Sequence, residues 1–430
     1  MMHLGDITKI SGYTAPIVDC VIGGSPCQEL SVAGKRTGLD GERSGLFMVQ
    51  LRIIKEMREH DRRIGRAGVN IRPRYMVWEN VPGAFSSNKG EDFRIVLEET
   101  AKVAQKDASV PMPNKWSTSG CILGDGWSIA WRVLDAQFYG VPQRRRRIAL
   151  VADFGGHSAP EILFVRKGLS RDTDESKSKG QTTAEVVTEC IGANDCFSIE
   201  NHPADSRVDI DESGKVQTLT SRMGTGGGNV PMVMECYSKS KRAQSAVDFE
   251  TWKKSDVSNT INTFDQGDTR ATDVVVKYID TSHADDAIRV DNVVAPLQAR
   301  DYKGGKLVQT NYIVRRLTPL ECERLQGFPD GWTDIGEYID SNGKKKQSSD
   351  AARYKALGNS IAIPPWKWVL KRLCACYERD ATMASLFDGI GGFPYIWEQL
   401  NGKGSCLWAS EIEEFPIAVT KARFGGDSIG

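Results

Sequence analysis

Four groups of residues in this chain have the types and spacing to do chemistry. Gly23-Gly24-Ser25-Pro26-Cys27-Gln28 puts a thiol on a stiff turn, where Pro26 fixes the backbone before the sulfur and Gln28 and Ser31 add polar groups after it. As a thiolate, such a cysteine is a nucleophile. Glu79 and Asn80 stand at the end of a second apolar run. Gln143-Arg144-Arg145-Arg146-Arg147 carries two alternating arginines, Arg145 and Arg147, which a strand would present on one face. Arginine stays charged when buried, which suits a pocket. In Ala384-Ser385-Leu386-Phe387-Asp388-Gly389-Ile390-Gly391-Gly392-Phe393 an apolar run meets a glycine turn and a helix start. Glycines let a backbone approach a ligand closely, and a helix start offers free N–H groups. Downstream, Cys406–Ser410 ends at Glu411, an acid placed to meet ribose hydroxyls.

Each group needs a strand to hold it. Ile17, Val18, Cys20, Val21 and Ile22 read as a buried strand stopped by Gly-Gly, with Cys27 at the sheet's carboxyl edge, where ligands bind in open α/β sheets. Leu46 to His60 has helical apolar spacing. Tyr75–Trp78, Trp127–Leu134 and Ile148–Ala152 read as strands, and Phe93–Val103, Pro319–Leu325 and Trp366–Tyr377 as helices. Thr318 caps the second of these helices, with proline in its first turn. Alternating strands and helices predict a parallel, doubly wound α/β sheet.

From about residue 155 the composition shifts to Ser, Thr, Asp and Gly. Residues 161–310 hold 24 Asp+Glu against 19 Lys+Arg, so this segment is slightly acidic. Three strand–loop–strand units recur at roughly 40-residue spacing: 216–220 to 230–233, 260–264 to 274–276, and 295–299 to 307–308. Ser341–Ser349, with Lys344-Lys345-Lys346, reads as a solvated polar loop.

The whole chain has 56 basic and 56 acidic residues, which counts mildly against nucleic acid as a partner, although local charge matters more than the total. Ten cysteines form no CxxC pair and five histidines are scattered, which argues against a metal site. A nucleophilic thiol fits a reducing cytoplasm. The sequence has no long apolar run and no signal peptide, so neither membrane nor export is expected.

Taken together, the motifs resemble those of the DNA cytosine-5 methyltransferases. Pro26-Cys27-Gln28, Glu79-Asn80-Val81, Gln143 to Arg147, Arg316-Leu317-Thr318-Pro319 through Gln326-Gly327-Phe328-Pro329, and Gly358-Asn359-Ser360 stand in that family's relative order. The resemblance implies a Rossmann-like S-adenosylmethionine-dependent methyltransferase sheet with a smaller β-rich target-recognition domain. The expected division is 1–154 catalytic, 155–310 target recognition, 311–381 catalytic again, and 382–430 cofactor-binding. It implies Cys27 as nucleophile on C6 of a flipped-out cytosine and Glu79 on the N3 edge. Asn80 would position that carboxylate or the cysteine loop, Arg147 would meet the base oxygen, and Arg145 the cysteine loop or a phosphate.

For S-adenosylmethionine, and its product S-adenosylhomocysteine, the resemblance implies Phe387, Asp388, Gly389, Gly391, Gly392, Glu411, Ile412, Asp6, Ile7, Pro26, Asn359 and Ser360. For double-stranded DNA it implies Gln28, Lys35, Arg36 and Arg43 from the cysteine loop, and Arg222, Arg270 and Arg300 from the recognition domain. A monomer is expected; the sequence does not tell whether a cognate restriction endonuclease, acting separately, exists. Two alternatives stay open, a tRNA cytosine methyltransferase and a catalytically silent nucleic-acid-binding relative; the long insert favours DNA.

In the family the cofactor motif opens the chain, whereas here it follows everything else. Joining residue 430 to residue 1 restores the family's order, with Glu411 and Asp6 then 25 residues apart. The arrangement reads as a circular permutation, and it predicts that the two chain ends are neighbours.

Overall fold

The computed structural model describes residues 1–25, 45–165 and 312–425, together with Leu219 and seven strands between 198 and 310. Its centre is an eight-stranded sheet. In chain order the strands are β1 (Met2–His3), β2 (Cys20–Gly23), β3 (Tyr75–Asn80), β4 (Ser119–Gly124), β5 (Trp127–Asp135), β6 (Arg146–Asp153), β7 (Met383–Leu386) and β8 (Cys406–Ser410). Their spatial order is β1-β8-β7-β2-β3-β6-β5-β4. The first five are mutually parallel, and β6 runs antiparallel between β3 and β5. The parallel strands are continuous apolar runs because both sheet faces are covered; Val21, Ile22, Met76, Val77 and Trp78 are fully buried.

Helices α1 (Leu46–Arg63), α2 (Glu91–Ala101), α3 (Ala159–Leu163), α4 (Pro319–Gln326), α5 (Asp350–Asn359), α6 (Ile363–Cys374), α7 (Gly392–Asn401) and α8 (Glu414–Phe424) complete the described helical part. On α1, Phe47, Leu51, Ile54 and Met57 are buried at helical spacing. They share one core with Val21, Trp78, Leu386 and Trp408. The opposite face of the sheet packs on α6 and α7, through Trp366, Leu370, Ile396 and Trp397. Helix α4 begins with a capping box between Thr318 and Glu321 and ends at Gly327 with φ 79°.

Numbered from β7, the five parallel strands read 3-2-1-4-5 across the sheet, the doubly wound order. In that count α8 lies between the second and third strands, β8 and β1. The Met1 ammonium donates to Gly425 O at 3.3 Å, and Met2 pairs with Trp408. His3 seals this joint. It is buried, with Nε2 3.1 Å from Thr420 Oγ1 on α8. Burial, then Lys421 and the N-terminal ammonium, lower its pKa from 6.5 to about 4. The unfolded chain therefore takes up this proton first as pH falls. The associated stability is complete above pH 6.5 and is lost as pH falls through 4, by about 3 kcal/mol. Urea unfolding at pH 7 and pH 4.5 should show wild type losing more stability than His3→Gln; equal losses would remove His3 as the cause.

Expected and observed elements differ in physically readable ways. Helix α6 begins at Ile363, not Trp366, because Pro364 and Pro365 fit a first turn that needs no N–H donors. The polar stretch around Lys345 is part of a small hairpin, Glu337–Ile339 with Lys345–Gln347. Lys346 there reaches both Asp340 and Glu414 at 3.0 Å. In the insert, Met232–Lys241 pairs with Thr251–Lys254, Ser198–His202 and Tyr312–Arg316. Val276–Asp280 pairs with both Arg289–Asp291 and Leu307–Thr310. The expected strands 216–220, 260–264 and 295–299 lie outside the described residues, Leu219 apart.

Candidate active site

One register row builds the site. Ser410, Leu386, Gly23 and Trp78 are cross-strand partners on β8, β7, β2 and β3. The residues one step further, Glu411, Phe387, Gly24 and Glu79, therefore emerge side by side at the carboxyl edge. The row spans the topological switch point between β7 and β2, where such sheets bind ligands.

On the β2–β3 side the geometry fixes the chain leading to Cys27. Ser25 is buried and held twice, its Oγ accepting from Trp78 Nε1 at 2.9 Å and its carbonyl from Asn80 Nδ2 at 3.1 Å. Trp78 and Asn80 share one face of β3, and Glu79 faces the other way. Strand alternation places Trp78 beside Asn80, but only the fold shows that its indole holds Ser25. The two glycines are explained by crowding. A Cβ on Gly23 would lie 2.5 Å from Gln50 Oε1, and one on Gly24 2.8 Å from Glu79 Oε2. Glu79 Oε1 pairs with Arg147 Nε at 2.8 Å, both side chains being mostly buried. Arg147 Nη1 donates to Arg146 O.

Arg145 departs from expectation. It precedes β6 and is buried at 2% exposure, so it meets neither phosphate nor solvent. It donates to Leu219 O at 2.8 Å, Gly358 O at 3.2 Å, and Ser360 O. Burial, reinforced by Arg147 and opposed by Glu79, holds its pKa well below the ordinary value.

On the β7–β8 side, Phe387 has φ 55°, an uncommon conformation for a bulky residue and a mark of stored strain at functional turns. Glu411 is locked by backbone donors: Gly389 N reaches Oε2 at 2.7 Å, and Ile412 N and Glu413 N reach Oε1 at 2.8 and 2.9 Å. Two donors fill Oε1, whereas Oε2 accepts one and keeps a site for a hydroxyl. Ile412 is 71% exposed. Gly389 (φ 56°) faces open space, and a Cβ on it would meet nothing within 4 Å. An open turn, an acid with one acceptor site to spare and an exposed apolar side chain fit a nucleoside carrying ribose hydroxyls.

Other expected contacts turn out to be internal. A Cβ on Gly391 would meet Phe424 at 2.6 Å, and one on Gly392 would meet Ile361 at 2.8 Å, so packing explains those glycines. Asp388 is buried, accepts from Ser385 Oγ, and has its pKa raised to about 7 by burial, with Ser385 opposing and Glu411 adding. Ile7 is buried in the core, which leaves only its backbone for a ligand. Asp6 Oδ1 caps the following turn through Thr8 N at 2.9 Å. Asn359 is exposed at the end of α5, and Ser360 is buried. Pro26, Cys27, Gln28, Lys35, Arg36, Arg43, Arg222, Arg270 and Arg300 lie outside the described residues. Among the described residues, no group of His, Cys, Asp and Glu could hold a metal, and no helix is long and apolar enough to cross a membrane.

A doubly wound sheet with a strained glycine turn after its first strand and a carboxylate closing its second has the architecture of S-adenosylmethionine-dependent methyltransferases. Within that class the chain belongs to the C-5 cytosine-specific DNA methylase family, whose model matches residues 1–104 and 123–375. A DNA N-6-adenine-methyltransferase of Escherichia phage P1 is 27% identical over 88% of this chain and 56% of its own length. The orphan methyltransferase M.SPRI of Bacillus phage SPR is 22% identical, over 87% of each chain. The type II methyltransferase M.BsuFI of Bacillus subtilis is 26% identical over 85% of this chain and 60% of its own. This chain thus spans little more than half the length of the first and third of these relatives.

Proposed function

We propose that the protein methylates C5 of cytosine in a specific double-stranded DNA sequence, taking the methyl group from S-adenosylmethionine. The observation that carries this reading is the register row that sets Glu79 and the Gly24 turn beside the Phe387–Glu411 turn. C5 of cytosine is a weak nucleophile. Addition of the Cys27 thiolate at C6 makes C5 enamine-like, and the base must first leave the duplex. Glu79 binds the N3 edge and favours its protonation, and Arg147 holds Glu79 and meets the base oxygen. Asn80 holds the backbone before Cys27 through Ser25 O. The cofactor supplies an electrophilic sulfonium methyl when bound. Glu411 accepts from a ribose hydroxyl through Oε2, Ile412 packs on its adenine, and the Phe387–Gly389 turn borders its methionine part. Loss of the C5 proton and of the thiolate then restores the aromatic base.

The order of elements is read as a circular permutation. The 3-2-1-4-5 strand order counted from β7 and the Met1–Gly425 contact support it. So does the family match, which ends at residue 375, before β7. The adenine activity named for the phage P1 protein belongs to that protein as a whole, of which the match spans 56%.

Tritium transfer from labelled S-adenosylmethionine to mixed-sequence duplex DNA and to tRNA tests the reading. Incorporation into duplex DNA, mapped by bisulfite sequencing, is expected. Transfer to tRNA alone would replace DNA by RNA as substrate, and cofactor binding without any transfer would leave a silent binding protein.

A further inference from the structure

Arg145 does something the proposed chemistry does not use. A buried guanidinium with no carboxylate partner is costly unless backbone acceptors replace its water. Among the described residues, Arg145 pairs with no acid and donates to three carbonyls. Those carbonyls belong to segments remote in sequence: Leu219 is 74 residues away, Gly358 and Ser360 more than 200. Leu219 is buried in the core formed by Leu317, Trp366 and Phe393, so one point of the insert is locked into the sheet domain. Gly358 lies in the last turn of α5, and Ser360 begins its connection to α6. The next residue, Ile361, packs so tightly on Gly392 that no Cβ fits there. Gly392 starts α7, at the end of the glycine turn. A chain of direct contacts thus runs from the insert at Leu219, through Arg145, to the turn that borders the cofactor.

We propose that Arg145 is a positioning residue that holds the recognition insert and the cofactor turn in one mutual geometry, so that duplex DNA and S-adenosylmethionine bind cooperatively through it. This rests on the functional reading above. The guanidinium fork suits three acceptors in different directions, which a lysine ammonium on a flexible stem does not reproduce. Coupling of this kind is reciprocal, so it is readable from either ligand.

The test measures S-adenosylhomocysteine affinity calorimetrically, with and without a duplex carrying the mapped target sequence. The ratio is taken for wild type, Arg145→Lys, Arg145→Gln and Leu219→Ala, alongside thermal unfolding. In the two arginine variants the ratio is expected to fall about tenfold or more, the worth of one lost charge-assisted hydrogen bond. Discrimination between target and unrelated duplex is expected to fall with it. In Leu219→Ala the ratio is expected to fall while affinity without DNA stays within about twofold. A purely structural arginine would lower the unfolding temperature and leave the ratio alone. Folded arginine variants with an unchanged ratio overturn the proposal; if neither folds, an unchanged ratio in Leu219→Ala overturns it. Wild type that methylates no duplex sinks the functional reading instead.

Discussion

Cys27→Ala should lose methyl transfer by on the order of 10⁵–10⁶-fold, the scale seen when a covalent nucleophile is removed. S-adenosylhomocysteine affinity should stay within about twofold, since the proposed cofactor turn is built by β7 and β8 and not by β2. The loss is large because no other described cysteine is placed to take over. Exposed Cys121 lies on the far edge strand β4. Exposed Cys376 follows α6 beside Tyr377, whose hydroxyl meets Asp19 O at the amino end of β2. Cys20, the cysteine nearest in sequence, is fully buried on β2, and burial pushes its thiol well above the ordinary pKa. Cys322 and Cys406 are likewise buried, with thiols shifted upward by the same cause. A thiol that cannot ionise is no nucleophile. Initial rates with labelled cofactor on the mapped duplex give the first number, and titration calorimetry the second. Residual transfer above about one part in a hundred would exclude covalent catalysis by Cys27. Loss of cofactor binding together with transfer would mean that the substitution disturbed the fold.

The parts of the site that the sequence makes legible follow period-two alternation and strand ends. Glu79, Glu411 and the Gly23-Gly24 stop each lie where an apolar run meets a polar residue. The sheet's register then brings them together without further information. Roles set by long-range packing are not legible in this way. Nothing near Arg145 in the sequence announces that its partners lie at 219, 358 and 360, so its alternation with Arg147 suggests a shared pocket that β6 does not build. Glycine is ambiguous in the same way. The type says that a Cβ is unwelcome, without saying whether a ligand or a neighbouring side chain excludes it. Gly389 faces open space, whereas Gly391 and Gly392 are crowded by Phe424 and Ile361. Asp388 resembles a ligand contact because it sits in the turn, yet its backbone N–H bonds Ser410 O and its side chain turns inward. The order of the motifs is readable because it survives where spacing does not, and the sheet sets β8 between β7 and β1.

Glu79→Gln should lower the single-turnover rate by about 10²–10⁴-fold, the usual contribution of a positioned acid–base group. Affinity for the duplex should change by less than about tenfold, because the amide fills the same space. Size matters here as much as charge. Gly24 approaches Glu79 so closely that a Cβ on it would lie 2.8 Å from Oε2, which leaves no room for a longer side chain. Glutamine keeps this packing, removes the negative charge and replaces one acceptor oxygen with an NH2 donor. Two effects then add. The N3 edge loses the group that favours its protonation as charge develops in the ring. Arg147, mostly buried, also loses the carboxylate that sits 2.8 Å from its Nε. The second effect predicts non-additivity: in Glu79→Gln/Arg147→Met the combined loss should fall well short of the product of the two single losses, since each single change already breaks the pair. A double loss equal to that product would mean that the two residues act independently. Glu79→Gln turning over within tenfold of wild type would take the carboxylate out of the mechanism, leaving Glu79 as a wall that fixes Gly24, and through it the path of the chain towards Cys27.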